Sequence, residues 1–427
     1  MHLSTAVRLA AGLLPAIAPS IALAQDAQQK PAPTSPTTLD DLKKLFEDQA
    51  AKNADEIDDL KFQIGTLEKD VAEAKRAAQS KSGQSNNVFN PQITVFGNFL
   101  GRADNQQVFV DDDPTAERID NRMNLREVEF DFRAPIDPWA DAVIIASFES
   151  PSPNEFETSI EEGYFTLKKL PILDTAPGGL KLQVGRFHQD FGRYNKIHLH
   201  DLPQPSYPRA LTNFLGSDSY VQNGVAGSFF LPRPSESSTL QASVALLNGG
   251  DIPLDPTGSG ANIATLEHVD WFSELSDSQS LDLGASAWNQ DQDHALYGLD
   301  ATWKYKPLAG GEWHSFLIGG ELFAASLDEP NMSDHPLGYY VWSQYQFTAN
   351  TYLGARFDYA EELADSSLAT QTVGVYLTYY TTEFLRFRIG YEHAESDVAL
   401  LDNRNTALIE MNMVFGSHPT EPYWVNR

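Results

Sequence analysis

The 427-residue chain contains no cysteine, which rules out disulfide staples and thiolate metal sites together. It is also poor in positive charge: 30 Lys and Arg stand against 59 Asp and Glu, for a net charge of −29. Nucleic acid is therefore not an expected partner, because gripping phosphates requires a basic patch. Beyond the first 25 residues no segment approaches the ~20 consecutive apolar residues of a membrane-spanning helix. Catalytic signatures are missing as well. No G-x-S-x-G elbow occurs, and no Gly-rich phosphate loop follows a strand. Neither an enzyme nor a bound cofactor is expected.

What is present begins with "MHLSTAVRLAAGLLPAIAPSIALAQ", where Arg8, a short apolar stretch of small residues and Ala22-Leu23-Ala24 read as a secretory signal peptide over 1–24. Residues 25–37 are polar and proline-rich, as linkers are. Over 38–80, Ile57, Leu60, Ile64, Leu67 and Val71 alternate in spacings of three and four. That is a heptad seam, and it predicts a coiled-coil oligomerisation stalk. A second linker follows at 81–90.

From residue 91 to 415 another period takes over. In "TVGVYLTYYTTEFLRFRIGYEH" (372–393), Val373, Val375, Leu377 and Tyr379 share one strand face. Leu385, Phe387, Ile389 and Tyr391 do the same on the next strand, opposite Arg386, Arg388 and Glu392. Sixteen such segments can be counted, most near the ~9–11 residues a tilted strand needs to cross a bilayer. Their connections alternate short and long, and aromatics such as Trp139, Phe347, Tyr379 and Phe384 gather beside the short ones. Short turns, long outside loops and an aromatic girdle are the marks of an outer-membrane barrel. The expected fold is thus all-β: a sixteen-stranded antiparallel transmembrane β-barrel, preceded by an α-helical coiled coil in the periplasm and followed by a periplasmic tail at 416–427.

A barrel of that size has room for an aqueous channel. The longest connection, 189–219, is rich in aromatics and proline and is expected to fold inward as the third outside loop, constricting the pore. Parity assigns Glu127, Glu129, Asp131, Arg133, Lys181, Arg356, Asp358, Arg386, Arg388 and Glu392 to the lumen wall, with Asp300, Lys304, Glu321 and Glu410. Arg133, Arg356, Arg386 and Arg388, set against Asp190, Asp201 and Asp218 of the loop, would place a transverse field across the constriction. The stretch "HQDFGRYNKIHLHD" offers His188, His198, His200 and Asp201 as weak metal-ligand candidates, with no spacing signature to complete them.

Two stretches, "NRMNLREVEFDFRAPIDPWADAVIIASFE" and "EEGYFTLKKLPILDTAPGGLKLQVGRFHQDFG", resemble the early strands of the phosphate-selective porin O/P superfamily. The resemblance implies sixteen strands, a homotrimer embedded in outer-membrane lipid, and passive diffusion of small solutes or ions through a pore narrowed by an inserted loop. It does not extend to phosphate selectivity, since residues 88–427 hold 20 basic against 47 acidic side chains. The closing "MVFGSHPTEPYW" is similar to outer-membrane proteins labelled zinc-regulated receptors, which implies metal uptake as an alternative. A plugged barrel with a structural or tethering role is the other alternative.

Overall fold

The computed structural model describes Lys43 and residues 91–416, apart from 151–155, 170–176, 251, 256–261, 291–293, 308–312 and 330–331. The expected signal peptide, the heptad seam from Ile57 to Val71 and the tail from 417 onward lie outside the described residues.

The first nine strands are β1 (Gln92–Asp104), β2 (Met123–Asp137), β3 (Ala140–Glu149), β4 (Glu157–Leu167), β5 (Lys181–His188), β6 (Val221–Phe230), β7 (Ser238–Asn248), β8 (Ile263–Ser276) and β9 (Gln279–Asn289). They continue with β10 (His294–Tyr305), β11 (Phe316–Glu329), the three-residue β12 (Met332–Asp334), β13 (Leu337–Gln346), β14 (Thr351–Glu362), β15 (Asp365–Thr382), β16 (Leu385–Ser396) and β17 (Arg404–Gly416). Apart from the short β12, each strand pairs antiparallel with its neighbours in sequence order, and β1 pairs with both β2 and β17, so the sheet closes on itself. Because β12 only extends the loop end of β11 while β11 pairs directly with β13, the wall has sixteen staves. A closed barrel leaves no strand edge for another chain to pair with.

Alternation decides which way each residue faces. On β15 and β16, Val373, Val375, Leu377, Tyr379, Phe387, Ile389 and Tyr391 are all exposed on the outside. Thr378, Arg386 and Arg388, between them, are buried inside. The same holds at Val341, Leu353, Leu299, Ile318 and Ile409, so the barrel carries an apolar outer belt. An apolar surface that wraps a whole domain far exceeds the patches of soluble monomers and matches a lipid environment.

One part of the connection pattern differs from expectation. The β14–β15 connection, on the long-loop end, is only Leu363-Ala364, because both strands run on into a tight turn. Conversely, thirteen residues separate β4 from β5 at the opposite end. Length alternation therefore tracks the barrel's two ends only in part.

The period also breaks in two places that matter. Between β1 and β2 the register passes from Asn98↔Glu127 to Phe99↔Leu125, leaving Arg126 as a bulge residue. Between β3 and β4 it passes from Ile145↔Glu162 to Ala146↔Ile160, leaving Glu161 as another. A bulge adds one residue and re-aims its side chain. Here both extra residues, Arg126 and Glu161, line the interior beside neighbours that already face it.

Candidate functional site

The connection from β5 to β6 enters the barrel and packs there. Its first anchor is a turn at Gly192, whose φ of +58° suits glycine, and a Cβ there would run into the Glu321 carboxylate on β11. With that turn made, the backbone N–H groups of Arg193 and Tyr194 both donate to Glu321 Oε1, at 2.9 and 2.7 Å. Gly192 N–H donates to Ser286 Oγ at 2.9 Å, and the Arg193 guanidinium pairs with Asp282. The Phe191 ring lies against Gly298 on β10, where any larger residue would displace it.

An apolar core then forms inside the barrel, an arrangement usual in soluble domains and unexpected in a polar lumen. Phe191, Tyr194, Leu211, Phe214 and Tyr220 from the connection meet Trp288, Leu296, Phe323, Tyr340 and Trp342 from the wall. The rings of Phe191 and Phe214 stack on Phe323 at 5.9 and 5.7 Å. A seven-residue helix, α1 (Arg209–Leu215), supplies two of these residues, Leu211 and Phe214, and directs Arg209 to Asp112 and Glu362.

Between these anchors, residues 200–206 are held by arginines of the wall. Arg386 Nη2 donates to the His200 carbonyl at 2.7 Å, Arg388 Nη2 to Leu202 at 2.8 Å, Arg126 Nη1 to Pro205 at 2.7 Å and Arg356 Nη1 to Ser206 at 2.6 Å. Glu410 sits beneath them, accepting from Arg388 at 2.7 Å, Arg126 at 3.3 Å and Asn98 at 2.9 Å. Asp358 accepts from Arg356 Nε at 2.8 Å, and Glu392 accepts from Ser206 and Tyr376 at 2.8 Å each. Arg356, Arg386 and Arg388, expected to face loop acids, thus anchor loop carbonyls, and Arg386 also lies within electrostatic reach of Asp201. Arg133 turns to Asp131 on its own strand, at 2.8 Å. Asp190 pairs with Lys196 of its own loop and accepts from Ser243 at 2.6 Å. Burial disfavours charge on Asp190, yet Lys196 and His268 outweigh it and hold the carboxyl below the ordinary value.

The opposite side of the lumen is left unfilled. A cavity of about 570 Å³ is bounded by Arg126, Glu127, Glu149, Glu157, Glu161 and Asp218, with Arg186, His188 and His198. Two more, of about 320 and 300 Å³, continue along β4 to β10. The first contains Lys181 and again His188; the second contains Asp270, Asp282 and Asp300; both share Asp190, Lys196, Gln241 and Ser243. Acids outnumber bases around the 570 Å³ cavity, so its water should concentrate cations.

His198 and His200 come from the loop, His188 from the end of β5. They converge with Glu127 and Glu129 of β2 and the bulged Glu161 of β4. His198 Nδ1 lies 3.2 Å from Glu161 Oε2 and 3.3 Å from Glu129 Oε2. His200 Nδ1 lies 3.3 Å from Glu129 Oε2 and 3.9 Å from Glu127 Oε2, and its ring stacks on Phe96. Burial opposes protonation of His198, but the Glu129 and Glu161 carboxylates outweigh it and hold the imidazole well above its ordinary value. Burial pushes His200 down to about 4 despite Glu129 beside it. Asp201 stands apart, 3.7 Å from the other nitrogen of His200. Strict alternation misses Arg126 and Glu161; the adjacent charged pairs in "REVE" and "EEGY" were the only trace of the two bulges.

No protein-family model matches the chain. An uncharacterized protein of Aquifex aeolicus is 30% identical over 112 residues, 26% of this chain and 21% of that protein, so the chain spans about a fifth of its length. Among solved structures, Pseudomonas putida OprB has a TM-score of 0.51 at 12% identity, over 76% of this chain and 94% of that one. The outer membrane channel DcaP of Acinetobacter baumannii has a TM-score of 0.50 at 9% identity, over 76% and 97%. At such identities the likeness is one of fold, that of outer-membrane channel barrels.

Proposed function

We propose that the chain is an outer-membrane porin, a channel through which small solutes or ions diffuse passively, constricted by the inserted connection 189–219. The observation carrying this reading is the asymmetric lumen: the connection packs on one side and leaves adjoining acid-bordered cavities on the other. The early-strand resemblance to the porin O/P superfamily supports the same reading and adds a homotrimer, to which the heptad seam from Ile57 to Val71 would contribute from the periplasm. The acids favour cations or neutral solutes over anions. The wall arginines do not reverse that preference, because loop carbonyls and Glu410 occupy them.

A second reading rests on the apolar core between connection and wall, which suits a permanently closed barrel with a structural role. Single-channel recording of the purified protein in planar bilayers under a salt gradient separates the two. Cation-selective steps support the porin, steps in groups of three support the trimer, and an absence of conductance supports the closed barrel.

A further inference from the structure

We propose that Glu127, Glu129 and His200 form a binding site for one divalent transition-metal ion of the zinc class, which pins the inserted connection to β2. Glu127, Glu129 and His200 are 8%, 1% and 1% exposed. The atoms they turn toward one another, Glu127 Oε2, Glu129 Oε2 and His200 Nδ1, are buried and make no hydrogen bond. Buried polar atoms are nearly always satisfied, and two carboxylate oxygens facing a ring nitrogen at 3.3 and 3.9 Å are costly to leave so. A neutral His200 protonated at Nδ1 can donate to Glu129 Oε2 at 3.3 Å, but Glu127 Oε2, 3.9 Å off, is then still without a partner, so a proton does not fully resolve this.

A cation does. Around zinc bound at about 2.0–2.1 Å in a tetrahedron, ligand atoms stand roughly 3.3 Å apart, and His200 Nδ1 is 3.3 Å from Glu129 Oε2 and 3.9 Å from Glu127 Oε2. One imidazole and two carboxylates suit a borderline divalent ion, with a fourth position left for water. Glu127 and His198 also border the 570 Å³ cavity, which gives the ion an entrance. The site joins residues 127 and 129 of β2 to the sequence-distant His200 of the connection, so the ion would act as a clamp on the constriction.

The test uses the full chain in detergent without a polyhistidine tag, stripped with chelator, loaded with zinc alone and freed of excess by gel filtration. Elemental analysis should find about one zinc per chain, and Glu129→Gln should retain less than roughly a tenth of it. Zinc should also raise the melting temperature of the unmutated protein by several degrees and leave Glu129→Gln unchanged. Cobalt in place of zinc should give the strong visible absorption of a tetrahedral centre, a reading that needs no variant. Absence of retained zinc, or equal retention by Glu129→Gln, overturns the site. Conductance measured in chelator tests the porin reading separately, so either idea can fail alone.

Discussion

The two sides of this lumen are built from the same staves and end up opposite in character. Along β10 to β17, β1 and β2 the wall meets an inserted chain, with apolar rings at one end of that contact and arginines on carbonyls at the other. Along β3 to β8 the wall meets mainly cavities, with β9 shared between the two sides, and keeps acids such as Asp270 and Glu157 beside them. The lesson is that a charge's role follows from what reaches it. Arg388 and Glu157 both face inward, but one is 1% exposed and holds a backbone, while the other stands in water.

The comparison breaks most completely if the packed side is emptied. Phe214→Ala removes a fully buried ring between Phe323 and Gly338. It should lower stability by about 3–5 kcal/mol and raise single-channel conductance as the connection loosens, read by thermal unfolding and bilayer recording. Arg388→Met comes next. It strips Glu410 of its 2.7 Å partner in a dry setting and should cost about 3 kcal/mol. A companion Glu410→Gln should recover part of that loss, which a double-mutant cycle would measure.

On the open side the ranking inverts. Asp270→Asn with Glu157→Gln should leave stability within about 0.5 kcal/mol, yet shift the reversal potential toward anions. If instead that pair unfolds the barrel and Arg388→Met alters only selectivity, the division of labour drawn here is wrong.

The smallest effect concerns Asp112, in the connection between β1 and β2. Burial disfavours its charge, but Arg404 at 2.8 Å and Arg209 outweigh this and hold its carboxyl below the ordinary value. A depressed carboxyl contributes stability above its unfolded-state pKa and loses it as pH falls through the folded value. The Asp112-dependent part of stability should therefore persist near neutrality and vanish below about pH 4. Comparing Asp112→Asn with the parent across that range would check it.

Much of the barrel was legible because a period of two is a strong signal. The sixteen staves counted in the sequence were found, and the outward faces of β15 and β16 follow from alternation alone. The site was less legible for specific reasons. Alternation fails wherever a bulge slips the register, which hid Arg126 and Glu161. It also assigns a side chain to the lumen without saying what occupies the lumen, so Arg356, Arg386 and Arg388 looked like free charges. The convergence of His188, His198 and His200 on Glu127, Glu129 and Glu161 depends on how 189–219 folds back onto β2, which no local spacing encodes.

The way the wall holds the connection has an evolutionary consequence. Four guanidinium groups take hold of main-chain oxygens at positions 200, 202, 205 and 206. Every amino acid carries that oxygen, so the clasp is indifferent to the side chain exchanged above it. A lineage could rewrite the passage's chemistry residue by residue, trading one permeant for another, while the frame that positions those residues stays fixed.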